Sequence, residues 1–511
     1  MSSGILAPGL ILISLIVYYS FLWTFPSLRR RTKGLSLPPG PKPRFLTGNL
    51  SQLSKTEPWL TYASWSKVYG PIVYFRVFND KTIVLNSGKA ALELLESRSV
   101  IYSDRPILWM AGELARRKWT VFLISFSDPR FKAYRRLLQT GLNSRASKTY
   151  RPIQHQETQV LLKGLANSPE DFAAHVRRNA VAVILKVAYG YQVAGNDDQM
   201  VRFIEEGFRL SAQMTVTGKF WVESFPFLRF LPDWFPGAGF KHIAKNAGKE
   251  LSRIECIPFD WAKKRISDGD YVESFISKHL RSEDGRFAEG DVQEYVKWCS
   301  AALYVGGGDT TVSTLTTFFL VMALYPDVQS RAQAEIDQIV PDRLPTLDDC
   351  DWLPYITAII KEVIRWGPVA PLGLPHRVME DDIYENYFIP KGTQIIANIW
   401  AITHDEDNYP NPHIFDPSRH LGDKPQPDPF KYVFGFGRRV CPGAHLAEMS
   451  LFLNISNILA VFNVSKPLDK NGVEVEPNVA WTTGATMHLK PFDCQIKPRS
   501  KQHLKLLGRE F

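Results

Sequence analysis

One ten-residue stretch, Phe434-Gly435-Phe436-Gly437-Arg438-Arg439-Val440-Cys441-Pro442-Gly443, constrains this chain more than any other. Its spaced Phe, Gly, Arg, Cys and Gly would coincide by chance about once in ten thousand chains of this length. Gly435 and Gly437 carry no Cβ, so a tight turn can lay its backbone flat against a large planar ligand. Arg439 offers a rigid fork of donors suited to a carboxylate of such a ligand. Cys441 is expected at the start of a helix with Pro442 as its first residue, where orphan N–H groups and the helix dipole stabilise a thiolate. A thiolate on iron pushes electron density onto the metal and favours cleavage of an O–O bond.

The remaining cysteines, Cys256, Cys299, Cys350 and Cys494, read as structural side chains. They form no CxxC pair or Cys/His cluster of the zinc type, and the usage suits a reducing, cytosol-facing location. With 511 residues, 45% of them hydrophobic, the chain can bury a large core. Its net charge of +9 favours acidic partners. The basic residues are spread along the chain without a nucleic-acid module, so no nucleic-acid partner is expected.

From Gly4 to Phe25 there is no charge, and the run is long enough as a helix nearly to span a bilayer. No basic segment precedes it and no small-residue cleavage site follows, which argues against a cleaved signal peptide. Arg29, Arg30, Arg31 and Lys33 come next and place the bulk of the protein in the cytosol. Pro38-Pro39-Gly40-Pro41-Lys42-Pro43 then forbids helix and predicts a stiff extended hinge. The expected organisation is a transmembrane anchor at 4–25, a basic and proline-rich hinge at 26–44, one catalytic domain at 45–498 and a basic tail at 499–511. Within the domain the pattern is mainly α, with helices over 156–190, about 290–325 and 355–366. Small β-sheets are expected from runs at Ile72–Val77, Thr82–Asn86, Ile383–Ile389 and Gln394–Asn398, with a late hairpin near 480–496. Sequons at Asn49, Asn454 and Asn463 are taken as chance matches, because a cytosolic domain does not meet the glycosylating enzyme.

Two further motifs join the cysteine stretch. Glu362-Val363-Ile364-Arg365 is an ExxR element, with a later arginine, Arg419, in Pro417-Ser418-Arg419-His420. Gly306-Gly307-Gly308-Asp309-Thr310-Thr311 interrupts a long helix with glycines that cost about 1 kcal/mol each against alanine, a penalty expected where a ligand needs space. Ala302, Gly306 and Thr310 share one helix face, with Val305 beside them.

Together these elements closely resemble the cytochrome P-450 family over nearly all of the chain after the anchor, so the expected fold is the cytochrome P-450 fold preceded by one transmembrane helix. The resemblance implies haem b with Cys441 as the axial metal ligand and Phe434 in the cofactor-binding loop. It implies propionate anchors at Arg439, at His376 within Pro375-His376-Arg377, and at Arg135 within Phe131-Lys132-Ala133-Tyr134-Arg135. It also implies that Thr310 supports oxygen activation through its hydroxyl, that Asp309 relays protons from solvent, and that Glu362, Arg365 and Arg419 form a buried ion-pair network behind the haem. The family usually has Trp where Phe131 stands, so an indole donor is lost, and His420 replaces a usual Phe or Trp. Gly218–Pro226, Trp234–Gly237 and Val305–Ser313 resemble fungal, basidiomycete natural-product members.

The implied activity is insertion of one oxygen atom into a small apolar substrate at the endoplasmic reticulum membrane. Electrons would come from NADPH through a separate reductase, since the chain has no Rossmann glycine fingerprint of its own. A haem-thiolate isomerase or dehydratase, or a haem-binding sensor, would not need the Asp309-Thr310 pair.

Overall fold

The longer helices are set by the ordinary start and stop signals. In the computed structural model, which describes residues 34–195, 198–215, 218–281 and 286–508, they are α1 (Pro58–Tyr69), α2 (Pro129–Leu142), α3 (Arg151–Asn167), α4 (Phe172–Tyr189) and α5 (Gln199–Met214). They continue as α6 (Gly239–Ser267), α7 (Asp291–Leu324), α8 (Pro326–Ile339), α9 (Pro354–Trp366) and α10 (Ala444–Val461). The expected anchor at 4–25, the cluster from Arg29 to Lys33 and the last residues of the tail lie outside the described residues.

Proline opens α1, α2, α8 and α9, where its missing N–H is no loss. The long α7 begins with Asp291 and Glu294 in its first turn, favourable to the dipole, and meets α8 at a bend of 105° where Pro326 takes over. One continuous helix expected over 156–190 is instead two. Pro169 cannot donate to the α3 ladder and keeps Ser168 out of the helical region (φ −142°, ψ 72°), so the chain turns before α4.

A four-stranded sheet has the order β1 (Ile72–Val77), β2 (Asp80–Leu85), β6 (Gln394–Ala397), β3 (His376–Arg377). Only β2 and β6 run parallel, pairing Ile83 with Ile395. The run expected over 383–389 is a hairpin of β4 (Asp382–Tyr384) and β5 (Tyr387–Ile389), turning on Glu385 and Asn386, both with positive φ (46° and 66°). The late hairpin near 480–496 is reduced to a bridge between Trp481 and Leu489, because β8 (Gln495–Pro498) pairs instead with β7 (Phe462–Ser465), which leaves α10 directly.

The largest core gathers α3, α4, α7, α8, α9 and α10. Both α7 and α10 are apolar on nearly every face, as fully surrounded helices are. Among the described residues, α10 is the single helix long and apolar enough to cross a membrane by itself, and most of it is buried in this core.

The proline-rich segment is extended as expected, but it is docked. Ser36 O accepts from Phe388 N (2.8 Å), Pro39 O from Tyr74 N (2.8 Å) and Pro41 O from Asn49 Nδ2 (2.9 Å). Gly40 lies directly against the Tyr74 carbonyl, where no Cβ would fit. The strap therefore enters the fold along β1 and β5.

Candidate active site

The loop before α10 is shaped by its glycines. Gly435 (φ 78°) and Gly437 (φ 52°) both occupy the left-handed region, and a Cβ on Gly437 would lie 2.5 Å from the Leu95 carbonyl oxygen. The turn is pinned by Cys441 N donating to Phe434 O (2.7 Å) and Arg439 N to Phe436 O (3.0 Å). Phe434 itself is half-buried against the main core and stacks on Phe430 at 5.2 Å.

Cys441 differs from expectation in one respect. Helix α10 starts at Ala444 with Gly443 as its cap, so Cys441 precedes the helix and Pro442 is not its first residue. Burial pushes the thiol up, opposed by the Gly443 N–H and the Arg135 cation. The side chain is nonetheless accessible to solvent while surrounded by protein, as on the wall of an internal cleft. Deprotonation there calls for a cationic partner, which a metal ion supplies.

Beside the loop the fold collects positive charge. Arg439 donates to Ser103 O (2.8 Å) and Ile124 O (2.6 Å), and its guanidinium lies over the Phe131 ring at 4.3 Å. Phe131, which lacks the indole donor, thus serves as a cation–π platform. Arg135 donates to Val440 O (2.8 Å), next to the thiol. His376, on β3, places Nδ1 2.7 Å from Tyr102 O, and burial with the Arg105 cation presses its pKa down to about 3. Sequence reasoning missed Arg105. It is buried, donates to Leu374 O (2.6 Å) and Pro375 O (2.8 Å), and leaves Nε without a partner among the described residues. Burial lowers its pKa to about 10, and burial with Arg105 and Arg135 lowers that of Arg439 to about 9.

A buried group of cations calls for anions. The nearby carboxylate of Asp104 is already engaged by Arg377, Ser125 Oγ (2.8 Å) and Phe126 N (2.9 Å). An orphaned buried Nε, guanidinium groups without carboxylate partners among the described residues and a thiol at one wall fit a planar ligand with two carboxylates and a central metal, as haem is.

On α7, Gly306 faces open space, its nearest neighbour being Phe122 at 3.8 Å from where a Cβ would stand. Solvent reaches Ala302, Val305, Gly306 and Thr310 along a helix otherwise largely buried. The glycines do not share one purpose: a Cβ on Gly307 would stand 2.9 Å from Ile184 Cδ1, so that position lets α4 pack closely. Thr310 Oγ1 donates to Gly306 O (2.7 Å), leaving its lone pairs toward the groove. Asp309 turns to the C-terminal segment, where Oδ2 accepts from Thr486 Oγ1 (2.9 Å) and His488 Nε2 (2.9 Å).

Behind this lies the expected ion-pair network. Glu362 takes Arg365 Nε (2.8 Å), Arg365 Nη2 (2.8 Å) and Arg419 Nε (2.9 Å). His420 joins it, donating Nε2–H to Glu362 Oε2 (2.9 Å), a contact that a phenyl ring could not make.

The cytochrome P-450 family model matches residues 38–493. A cytochrome P-450 monooxygenase of Ampulloclitocybe clavipes is 40% identical over 482 residues, 93% of this chain and 89% of that one. Another, of Postia placenta, is 41% identical over 470 residues, 91% and 90% of the two chains. Tryptamine 4-monooxygenase of Psilocybe cyanescens is 36% identical over 491 residues, 93% and 96%.

Proposed function

The chain belongs to the cytochrome P-450 family of monooxygenase enzymes, and from that premise we propose that it inserts one oxygen atom from O2 into a small apolar molecule of fungal secondary metabolism. Electrons would come from NADPH through a separate reductase. The observation that carries this reading is the group of buried and half-buried cations around an accessible cysteine, which fits haem b and its propionates. Cys441 would hold the iron, and Arg105, Arg135, His376 and Arg439 would receive the carboxylates, with Phe434 in the loop beneath. Bound there, haem would supply the reductive activation of dioxygen. The absorption spectrum of the reduced protein under carbon monoxide tests the assignment, and a band of the ordinary histidine-ligated type would overturn it.

The chain's own residues then divide the work. Val305, Gly306 and Phe122 offer an apolar, open groove face for substrate. Thr310 orders a proton or water at its hydroxyl, and Asp309 holds the carboxylate from which protons are passed. Thr310→Ala should therefore cut product formed per NADPH by at least about tenfold while peroxide is released instead. Stability should change by less than about 1 kcal/mol, since the lost hydroxyl bonds only within its own helix. Unchanged coupling would place the role elsewhere, for instance on ordered water.

Around the thiolate loop, Lys132, Arg136, Lys431 and Arg438 are exposed and offer an acidic reductase a basic face. For localisation we propose a single anchor at 4–25 in the endoplasmic reticulum membrane with the domain facing the cytosol. A second membrane contact is supported by exposed apolar groups beside the proline-rich strap. Trp221 (67% exposed), Phe230 (73%) and Trp234 (81%) stand out on the 221–236 segment, and Phe45 and Leu46 are exposed next to Phe78, which touches Phe225 at 5.0 Å. Aromatic side chains of this kind favour the bilayer interface. A form starting at Gly34 should still bind phospholipid vesicles, and Phe230→Asp with Trp234→Asp should release it. A form that stays in solution before those substitutions would remove the second contact.

A further inference from the structure

The carboxylate of Asp309 does not lie open to the groove but is held from the side of the C-terminal segment. That segment is clipped to the fold at Met487, between the two contact residues, and braced within itself. Met487 N donates to Val369 O (2.7 Å), and Met487 O accepts from Ser313 Oγ on α7 (2.6 Å). Thr482 N donates to His488 O (2.8 Å), and His488 N to Thr482 Oγ1 (3.0 Å). The imidazole is therefore fixed against Asp309 while its side chain keeps 27% exposure, against 35% for Asp309. Its Nδ1 engages no described residue.

We propose that His488 is the proton donor to Asp309, so that Asp309, His488 and solvent form a relay into the α7 groove that keeps oxygen activation coupled to product. This rests on the monooxygenase reading above. The step moves protons only. Imidazolium Nε2–H breaks as the Asp309 Oδ2–H bond forms, and the charged pair becomes neutral. Asp309 then rotates and releases that proton toward the groove beside Thr310, and the imidazole, left with its Nδ1–H, takes a new proton from water at Nε2.

Every charged group facing the pair fits this direction. Burial pushes the Asp309 carboxyl up, but His488, Thr486 and then Arg177 hold it below the ordinary value, so it rests ionised and needs a donor. Arg177, from α4, is itself occupied by Glu205 of α5 at 3.2 Å. Tyr304, on α7 itself, is pushed up by burial and stays protonated. Thr486 donates a hydrogen bond but cannot supply charge. Of the two described side chains that donate to Asp309, only the imidazole can give up its proton and take another.

The test compares the full-length holoenzyme with His488→Gln, which keeps an N–H donor but cannot relay. Without turnover, the infrared C=O stretch of protonated Asp309, identified by its loss in Asp309→Asn, should appear at higher pH in His488→Gln than in the parent. In turnover, product per NADPH should fall in the parent as pH rises and the supply of protons to His488 declines. In His488→Gln it should be several-fold lower at the acid end and flat. Asp309→Asn should flatten the profile likewise, which keeps the test decisive if His488→Gln fails to fold. Parental coupling at every pH, a loss by the same factor at every pH, or an unmoved carboxyl stretch overturns the relay. The two readings fail separately: a parent without the thiolate band under carbon monoxide overturns the haem assignment, whereas an unmoved stretch in a protein with that band overturns only the role of His488.

Discussion

Cys441→Ala and Cys441→Ser are each expected to abolish the thiolate band of the reduced, carbon monoxide-treated protein and to bring NADPH-driven product formation to background, with the fold intact. The loop does not depend on the sulfur. It is held by backbone hydrogen bonds from Cys441 N to Phe434 O (2.7 Å) and from Arg439 N to Phe436 O (3.0 Å), which either substitution keeps. The side chain is open to the cleft that it lines, so stability should shift by no more than about 0.5 kcal/mol. What is lost is a soft, electron-donating ligand. Serine retains the shape, but its hydroxyl is a far harder donor and far less acidic than a thiol, so it cannot stand in. Circular dichroism should superimpose on that of the parent while the spectrum under carbon monoxide does not. Normal turnover by either variant would sink the assignment.

What could be read in the sequence was local. The limits of β1 follow from a run of β-branched and aromatic residues within six positions, and the left-handed glycines at 435 and 437 follow from a turn that no other residue type enters cheaply. The open space at Gly306 was also legible, because a glycine mid-helix carries a penalty that something must justify. What was illegible depends on contacts between distant segments. Arg105 becomes part of the cation cluster only because the 374–377 segment folds beside it, and its one mark in the sequence is an uninformative Asp104-Arg105-Pro106. The partners of Asp309 lie 177 and 179 residues further on, in a segment whose expected hairpin did not form. Phe131 read as a lost donor, whereas the ring supports Arg439 from below, which only the meeting of α2 with the cysteine loop reveals. The start of α10 was misplaced for a related reason. Pro442 suits a first helical turn, yet the Cys441 N–H is already spent on Phe434 O, and that hydrogen bond holds the chain in the loop until Ala444.

Glu362→Gln is expected to cost about 3–5 kcal/mol of stability, the penalty for leaving buried charges without their partner. The Glu362 and Arg365 side chains have no exposed surface, and Arg419 has almost none. The carboxylate accepts from both arginines, from His420 Nε2 and from Asp416 N (3.0 Å). Glutamine keeps the shape but offers one acceptor oxygen in place of two, and its NH2 would face donors. The remaining guanidinium bonds go to backbone carbonyls such as Thr403 O (2.9 Å) and Pro410 O (3.1 Å) and to the neutral Gln426 Oε1 (2.8 Å), which hold geometry without balancing charge. His420→Phe, by contrast, removes one donor and restores an apolar ring, so it should cost only about 1 kcal/mol. Burial pushes the Glu362 carboxyl up, but Arg365, His420 and Arg419 outweigh it and hold it well below the ordinary value. A depressed folded pKa means that the stabilisation is complete above the unfolded carboxyl value of about 4.3 and is lost as pH falls from there through the folded value. Denaturant midpoints measured at neutral pH and again near pH 3 should therefore draw closer between parent and Glu362→Gln, because the unfolded parent takes up a proton that its folded state still resists. A constant gap at both pH values would mean that packing, not charge, accounts for the cost. The network anchors α9 to the 412–420 segment that leads into the cysteine loop, so Glu362→Gln should also lower haem content on purification, whereas Cys441→Ala should lose the thiolate band without loosening the fold.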